Sequence, residues 1–260
     1  MAKIGSPLFI LREECQKDLM SVLEKLAEIG YEGVEFLGYW GYKLADVKSK
    51  LDSCGLIAIG NHVGFNEFTQ NIDKTIADNK NMGCKYITIG GPEPDGLPGG
   101  GDYSKTLDCY AKVGEAMNAA NMTLLYHNHA AELKNFHAGK SILENLMDDV
   151  KPGLLSLEPD CGWIQIGGGD PFYYLDKYAN RCPVVHFKDF IPDPKAENGF
   201  LFRPTGYGIV NYAELYKKTL SFDKKPEWYI LDHDCAYERD IYFDMKISLE
   251  YFKNLMTVSQ

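Results

Sequence analysis

The chain has 260 residues, 45% of them hydrophobic and 25% charged, which is apolar material enough for a large buried core. No stretch approaches the roughly 20 consecutive apolar residues of a membrane-spanning helix. The 27 Lys and Arg are interspersed with 37 Asp and Glu, and a net charge of −10 without a basic stripe argues against a nucleic-acid partner.

Seven scattered cysteines with no CxxC pair read as the reduced thiols of a cytoplasmic protein. The N-terminal MAKIGSPLFIL, broken by Gly5 and Pro7, makes a poor signal peptide, and a leader removed earlier would leave no trace.

A weak first strand is expected between Ile4 and Ile10. Leu19, Val22, Leu26 and Ile29 then mark a helical stripe that Gly30 stops, and GVEFLG follows as a short apolar strand. The alternation continues with a helix over Leu44 to Cys54 stopped by Gly55, the strand LIAIG (56–60), a helix over Ile72 to Met82 stopped by Gly83, and the strand KYITIG (85–90). Four more strands are expected at TLLYH, GLLSL, PVVHF and WYIL, with helices at 104–120, 139–150, 170–180 and 211–220. A last helix carries Met245, Leu249, Phe252 and Met256 on one face.

Eight strands alternating with eight helices give a parallel sheet, because each parallel connection needs a crossover. The expected fold is α/β, a single (β/α)8 TIM barrel spanning residues 1–260. A doubly wound open sheet would show a glycine-rich phosphate turn after the first strand, and none is present. Two irregular insertions, 90–102 and 190–208, follow strands four and seven, on the face where barrels carry their sites.

Four segments end an apolar run with residues that bind metals or move protons: TLLYHNHAAEL, LLSLEPDCGW, PVVHFKD and EWYILDHD. Asp160, His186 and Asp232 each close a separate strand, and imidazole with carboxylates suits one divalent ion such as Mn, Mg, Zn or Co. A fourth ligand is expected from strand five, where His127 and Glu132 both qualify. Each residue has a plainer reading. Asp160 caps a turn, His186 is a satisfied core histidine, Asp232 belongs to a solvated acidic tip, and Trp163 packs in the core. Agreement of four segments in position favours the site.

The motifs GYEGVEF, YHNHAAEL, DCGW followed by GGGDP, HFKD and WYILDHD together resemble the xylose isomerase-like barrel superfamily, and within it the sugar phosphate isomerase/epimerase and inosose dehydratase-like branch. The resemblance implies one metal ion held by residues of strands five to eight. It makes Asp160, His186 and Asp232 ligands, with Glu132 the favoured fourth and His127 and His129 near the substrate. Two positions depart from the family: Asp232 stands where glutamate is usual, and His127 stands where strand five usually offers glutamate. A DNA-repair endonuclease of the same superfamily calls for a zinc cluster and for a histidine where Trp163 stands, which this chain with six histidines does not provide.

The implied chemistry is metal-assisted proton transfer beside a carbonyl of a small carbohydrate substrate. His127, His129 and Lys188 are the expected catalytic groups, Lys188 holding an anionic oxygen or pairing with Asp189. His62, Trp163 and Arg203 are the expected substrate contacts; for Arg203 the alternative is solvation, and for His62 a capped strand end. Isomerisation or epimerisation stands first, with dehydration of keto-inositols or 3-keto-glycosides and a non-catalytic sugar-binding barrel as alternatives. A homo-oligomer is compatible with the sequence.

Overall fold

The computed structural model describes residues 2–258. Eight parallel strands form the barrel: β1 (Lys3–Pro7), β2 (Gly33–Phe36), β3 (Ile57–His62), β4 (Tyr86–Ile89), β5 (Thr123–His127), β6 (Ser156–Glu158), β7 (Val184–Pro192) and β8 (Trp228–Asp232). Hydrogen-bonded pairing runs from β7 through β8 and β1 round to β6. The circle closes between β6 and β7 by one bridge, Asp160 beside His186, in which the His186 N–H donates to the Pro159 carbonyl at 2.9 Å.

Eight longer helices surround the strands: α1 (Arg12–Ile29), α2 (Leu44–Cys54), α3 (Ile72–Met82), α4 (Tyr103–Ala119), α5 (Ile142–Asp149), α6 (Pro171–Lys177), α7 (Tyr212–Leu220) and α8 (Ile241–Val258). The first three end where glycine was expected to end them, with Gly30, Gly55 and Gly83 at φ of 103°, 68° and 87°, a left-handed conformation that costs other residues more. No helix among the described residues is long and apolar enough to cross a membrane.

Two apolar layers result. The larger lies between the strands and helices, where Leu19, Leu23, Val34, Leu124, Leu143 and Phe252 are buried. The smaller fills the barrel with Ile59, Tyr86, Leu125, Val184, Trp228 and Ile230. Side chains alternate along a strand, so residues two positions beyond this plug also point inward. His127 follows Leu125, His186 and Lys188 follow Val184, and Asp232 follows Ile230. An apolar floor therefore carries a polar upper layer.

Several boundaries differ from expectation for local reasons. β1 ends at Pro7, and the chain turns where the strand was expected to reach Ile10. α5 starts at Ile142 because Ser141 and Glu144 form a capping box, while residues 136–141 fold into a small hairpin. β6 lies later than expected, at Ser156–Glu158, after a turn at Gly153 with φ of 92°. The 190–208 segment carries regular structure: β7 continues to Pro192, and Phe200–Arg203 returns antiparallel to it.

A short helix, Cys161–Ile166, packs on β7 directly after the bridge. A Cβ built on Gly162 would lie 2.0 Å from the Lys188 carbonyl oxygen, so only glycine lets this helix approach. Gly162→Ala should lower stability by roughly 1–3 kcal/mol, read as an earlier urea midpoint. Gly101→Ala, where nothing lies within 4 Å, should leave the midpoint in place. An unchanged midpoint for Gly162→Ala would contradict this packing.

Candidate active site

The ends of β2, β3, β5, β6, β7 and β8 meet around the imidazole of His186, which is 1% exposed. Its Nδ1 lies 3.0 Å from Asp232 Oδ2, and its Nε2 lies 2.9 Å from Glu35 Oε2 and in contact with Glu158 Oε1. The bridge between β6 and β7 sets Asp160 next to His186 on the neighbouring strand. Asp160 serves both readings of the sequence: Oδ1 accepts from the Trp163 N–H and caps the following helix, while Oδ2 is left facing the site. Asn128 ties the ends of β5 and β6 together, its Oδ1 accepting from the Asp160 N–H at 3.0 Å.

His62 reaches across from β3, with Nε2 2.9 Å from Glu35 Oε2 and 3.5 Å from Glu158 Oε1. His127 is buried between the two carboxylates of β6, Nδ1 3.9 Å from Glu158 Oε1 and Nε2 3.8 Å from Asp160 Oδ2. The Lys188 ammonium is 3.0 Å from Asp232 and 3.4 Å from Asp160, contacts Asp234, and lies 5.3 Å from the centre of the Trp163 ring. Glu35, His62, His127, His186, Lys188, Asp232 and Asp234 line a pocket, with Pro7, Phe9, Phe36 and Leu37 forming an apolar wall and His129 at the rim.

Glu132 and Arg203 lie apart from this cluster, and Lys188 and Trp163 have other partners than expected. The Glu132 carboxylate is turned away, accepting from the Tyr126 hydroxyl at 3.0 Å and the His129 N–H at 3.1 Å. Lys188 pairs with Asp160, Asp232 and Asp234 and not with Asp189, whose carboxylate accepts from the N–H groups of Phe190, Gly206, Gly208 and Val210. Arg203 donates to the Phe202 carbonyl and does not line the pocket. Trp163 packs edge-on against Phe200 and Phe202 behind the lysine.

Glu35, Glu158 and Asn128 were not expected. Each had a signal: Glu35 is a charge inside an apolar strand, Glu158 precedes Asp160 by two residues on the same face, and Asn128 lies between two site histidines.

The protonation pattern follows from burial and charge. Burial opposes the charged forms of His62 and His186, but Glu35 and Glu158 outweigh it. His62 is raised to about 10, and His186 is held well above the usual imidazole range. Burial prevails at His127 and holds it well below that range. Burial also opposes the Lys188 charge, yet Asp232, Asp234 and Asp160 keep it a firm cation. Asp160 is raised by burial and by repulsion from Asp232, while Lys188 and His186 overcome burial to hold Asp232 down.

These donors fit a divalent cation. Six buried atoms without a hydrogen-bond partner converge here: Glu35 Oε1, His62 Nε2, His127 Nδ1, Glu158 Oε1, Asp160 Oδ2 and Asp232 Oδ1. Buried polar atoms are costly unless paired, and the four carboxylate oxygens with the neutral His127 imidazole offer lone pairs to a shared cation, while His62 holds its proton. Two donor groups share His186: His62, His127 and Glu158 with it on one side, Asp160 and Asp232 on the other.

Residues 23–234 match the family described as xylose isomerase-like TIM barrel. The chain belongs to that family. Among curated relatives of this family member, the inosose dehydratase of Geobacillus kaustophilus is 24% identical over 241 residues, 78% of this chain and 76% of that one. Other inosose dehydratases, such as one of Bacillus cereus, match over about half of their length. A sugar phosphate isomerase/epimerase from Parabacteroides distasonis shares the fold with a TM-score of 0.78 and 20% identity, over 97% of this chain and 94% of the other. The probable 3-DHS dehydratase AsbF from Bacillus anthracis does so with a TM-score of 0.76 and 15% identity, over 97% and 99%.

His186→Ala removes the residue both donor groups share, so the purified variant should lose bound divalent metal by elemental analysis. Glu132→Gln should retain it, because that carboxylate is engaged elsewhere. Metal lost from Glu132→Gln and kept by His186→Ala would invert this assignment.

Proposed function

We propose that this chain is a divalent-metal-dependent dehydratase of a keto-polyol or keto-sugar, removing a proton next to a carbonyl and expelling the hydroxyl one carbon farther on. The observation that carries the proposal is the pairing, in one pocket, of a convergent cation-donor set with two histidines whose proton affinities are pushed apart. The likeness to inosose dehydratases supports water loss as the outcome.

Asp160, His186 and Asp232, on three adjacent strands, would hold the cation, with His127 the nearest donor from strand five. When bound, a divalent ion supplies positive charge to the substrate oxygen on which negative charge develops as the carbon proton leaves. The remaining tasks fall to the chain. His129 stands open at the rim; what desolvation it has, then the charge of Lys188, lowers its pKa to about 4, so its imidazole is neutral and can accept the carbon proton. His62, raised to about 10 against its burial by Glu35 and Glu158, keeps a proton to give to the departing hydroxyl. Lys188 is too strongly held as a cation to act as a base, and it donates a hydrogen bond to a substrate oxygen. The apolar wall of Phe9, Phe36 and Leu37 accommodates the ring face and limits water entry.

Isomerisation or epimerisation, the first expectation from sequence, begins with the same proton removal and returns the proton to carbon. It needs no acid for a leaving hydroxyl, and the protonated His62 favours elimination over it. Metal-loaded protein incubated in deuterated water should form a conjugated enone, seen by ultraviolet absorbance, with release of water from keto-inositols and of the aglycone alcohol from 3-keto-glycosides, whose β-carbon carries the glycosidic oxygen. His129→Ala and His62→Ala should each slow this by about 10²–10⁴-fold. Deuterium entering beside the carbonyl with no enone would reverse the order and make the enzyme an isomerase or epimerase.

A further inference from the structure

The two nitrogens of His186 have different surroundings. Nδ1 lies 3.0 Å from Asp232 Oδ2 on β8, and Asp160, set beside His186 by the bridge between β6 and β7, belongs to the same donor group. Nε2 points across the barrel, 2.9 Å from Glu35 Oε2 and against Glu158 Oε1. These two carboxylates are 1% and 0% exposed, and Glu158 is itself fixed because its Oε2 accepts from the Thr88 hydroxyl at 2.6 Å.

Glu35 reaches this position through an irregularity in the sheet: Val34 pairs with Ala58 but Glu35 pairs with Gly60, a one-residue slip next to the carboxylate. Such slips re-aim side chains near active sites.

We propose that Glu35, aided by Glu158, is a positioning residue that holds the His186 proton on Nε2 and thereby presents the Nδ1 lone pair to the metal. A carboxylate can only accept, so Nε2, with Glu35 Oε2 at 2.9 Å and Glu158 Oε1 against it, keeps its proton. Nδ1 meets the Asp232 carboxylate at 3.0 Å, and because Asp232 and Asp160 would hold the same cation, Nδ1 is the nitrogen whose proton that cation would displace. Carboxylates that orient a ligating histidine in this way typically affect metal affinity by 10–100-fold. The proposal rests on the reading that Asp160, His186 and Asp232 hold the cation. It assigns Glu35 and Glu158 to orientation, although Glu158 also belongs to the other donor group.

Protein labelled with ¹⁵N-histidine and loaded with ¹¹³Cd gives the test, with the His186 signal assigned by its loss in His186→Gln. The expected result is cadmium coupling to Nδ1 and a protonated Nε2. In parallel, Mn²⁺ titration of Glu35→Leu should show 10–100-fold weaker binding. Glu35→Gln should lose less, since its amide oxygen still accepts the Nε2–H. Cadmium coupling to Nε2, or unchanged Mn²⁺ affinity in a folded Glu35→Leu, overturns the positioning role and leaves the metal reading standing. Wild-type protein that binds neither ion overturns the metal reading and this inference with it. The coupling measurement on wild-type protein decides the matter even if Glu35→Leu fails to fold.

Discussion

The hydrogen bond from the His186 N–H to the Pro159 carbonyl closes the barrel, and the site depends on it. Between the other strands the ladder has several bonds, but β6 and β7 meet at this bridge alone. β6 is short because the chain must leave it at once to enter the Cys161–Ile166 helix, which Asp160 caps. One residue thus bridges two strands, starts a helix and turns its second carboxylate oxygen toward His127 and Lys188. Gly162 lets that helix lie against the Lys188 backbone, so closure, cap and lysine position form one local arrangement.

Above the apolar plug the barrel concentrates negative charge. Asp160, Asp232 and Asp234 surround the Lys188 cation, while Glu35 and Glu158 lie against His62 and His186, which hold protons. Buried carboxylates are costly unless compensated. A divalent ion held there would supply that compensation and would compete with the proton on His186, since a ligating imidazole must give up a lone pair. The same field explains why neighbouring histidines differ: those within reach of both Glu35 and Glu158 are charged, whereas desolvation prevails at His127 and, with Lys188 adding to it, at His129.

The fold was legible because its signals are local. Helical stripes ended at Gly30, Gly55 and Gly83, and strict alternation of strand and helix leaves few topologies. Strand-end position also located Asp160, His186 and Asp232, which the structure brings together. Side-chain direction was harder to read. Lys188 and Asp189 are neighbours in sequence but point to opposite faces of β7, so they do not pair. Glu132 lies just beyond β5, but the short helix at Ala131–Lys134 folds it back onto Tyr126 and the His129 N–H. Glu35 and Glu158 come from strands far apart in sequence, and only barrel closure brings them to one imidazole.

The central claim is that one divalent cation sits among Asp160, His186 and Asp232. Anomalous diffraction at the manganese edge from Mn²⁺-soaked crystals tests it most directly. The account predicts a single peak within about 2.0–2.3 Å of a carboxylate oxygen of Asp160, a carboxylate oxygen of Asp232 and Nδ1 of His186. A peak at Glu132, or no peak in the pocket at all, would contradict it.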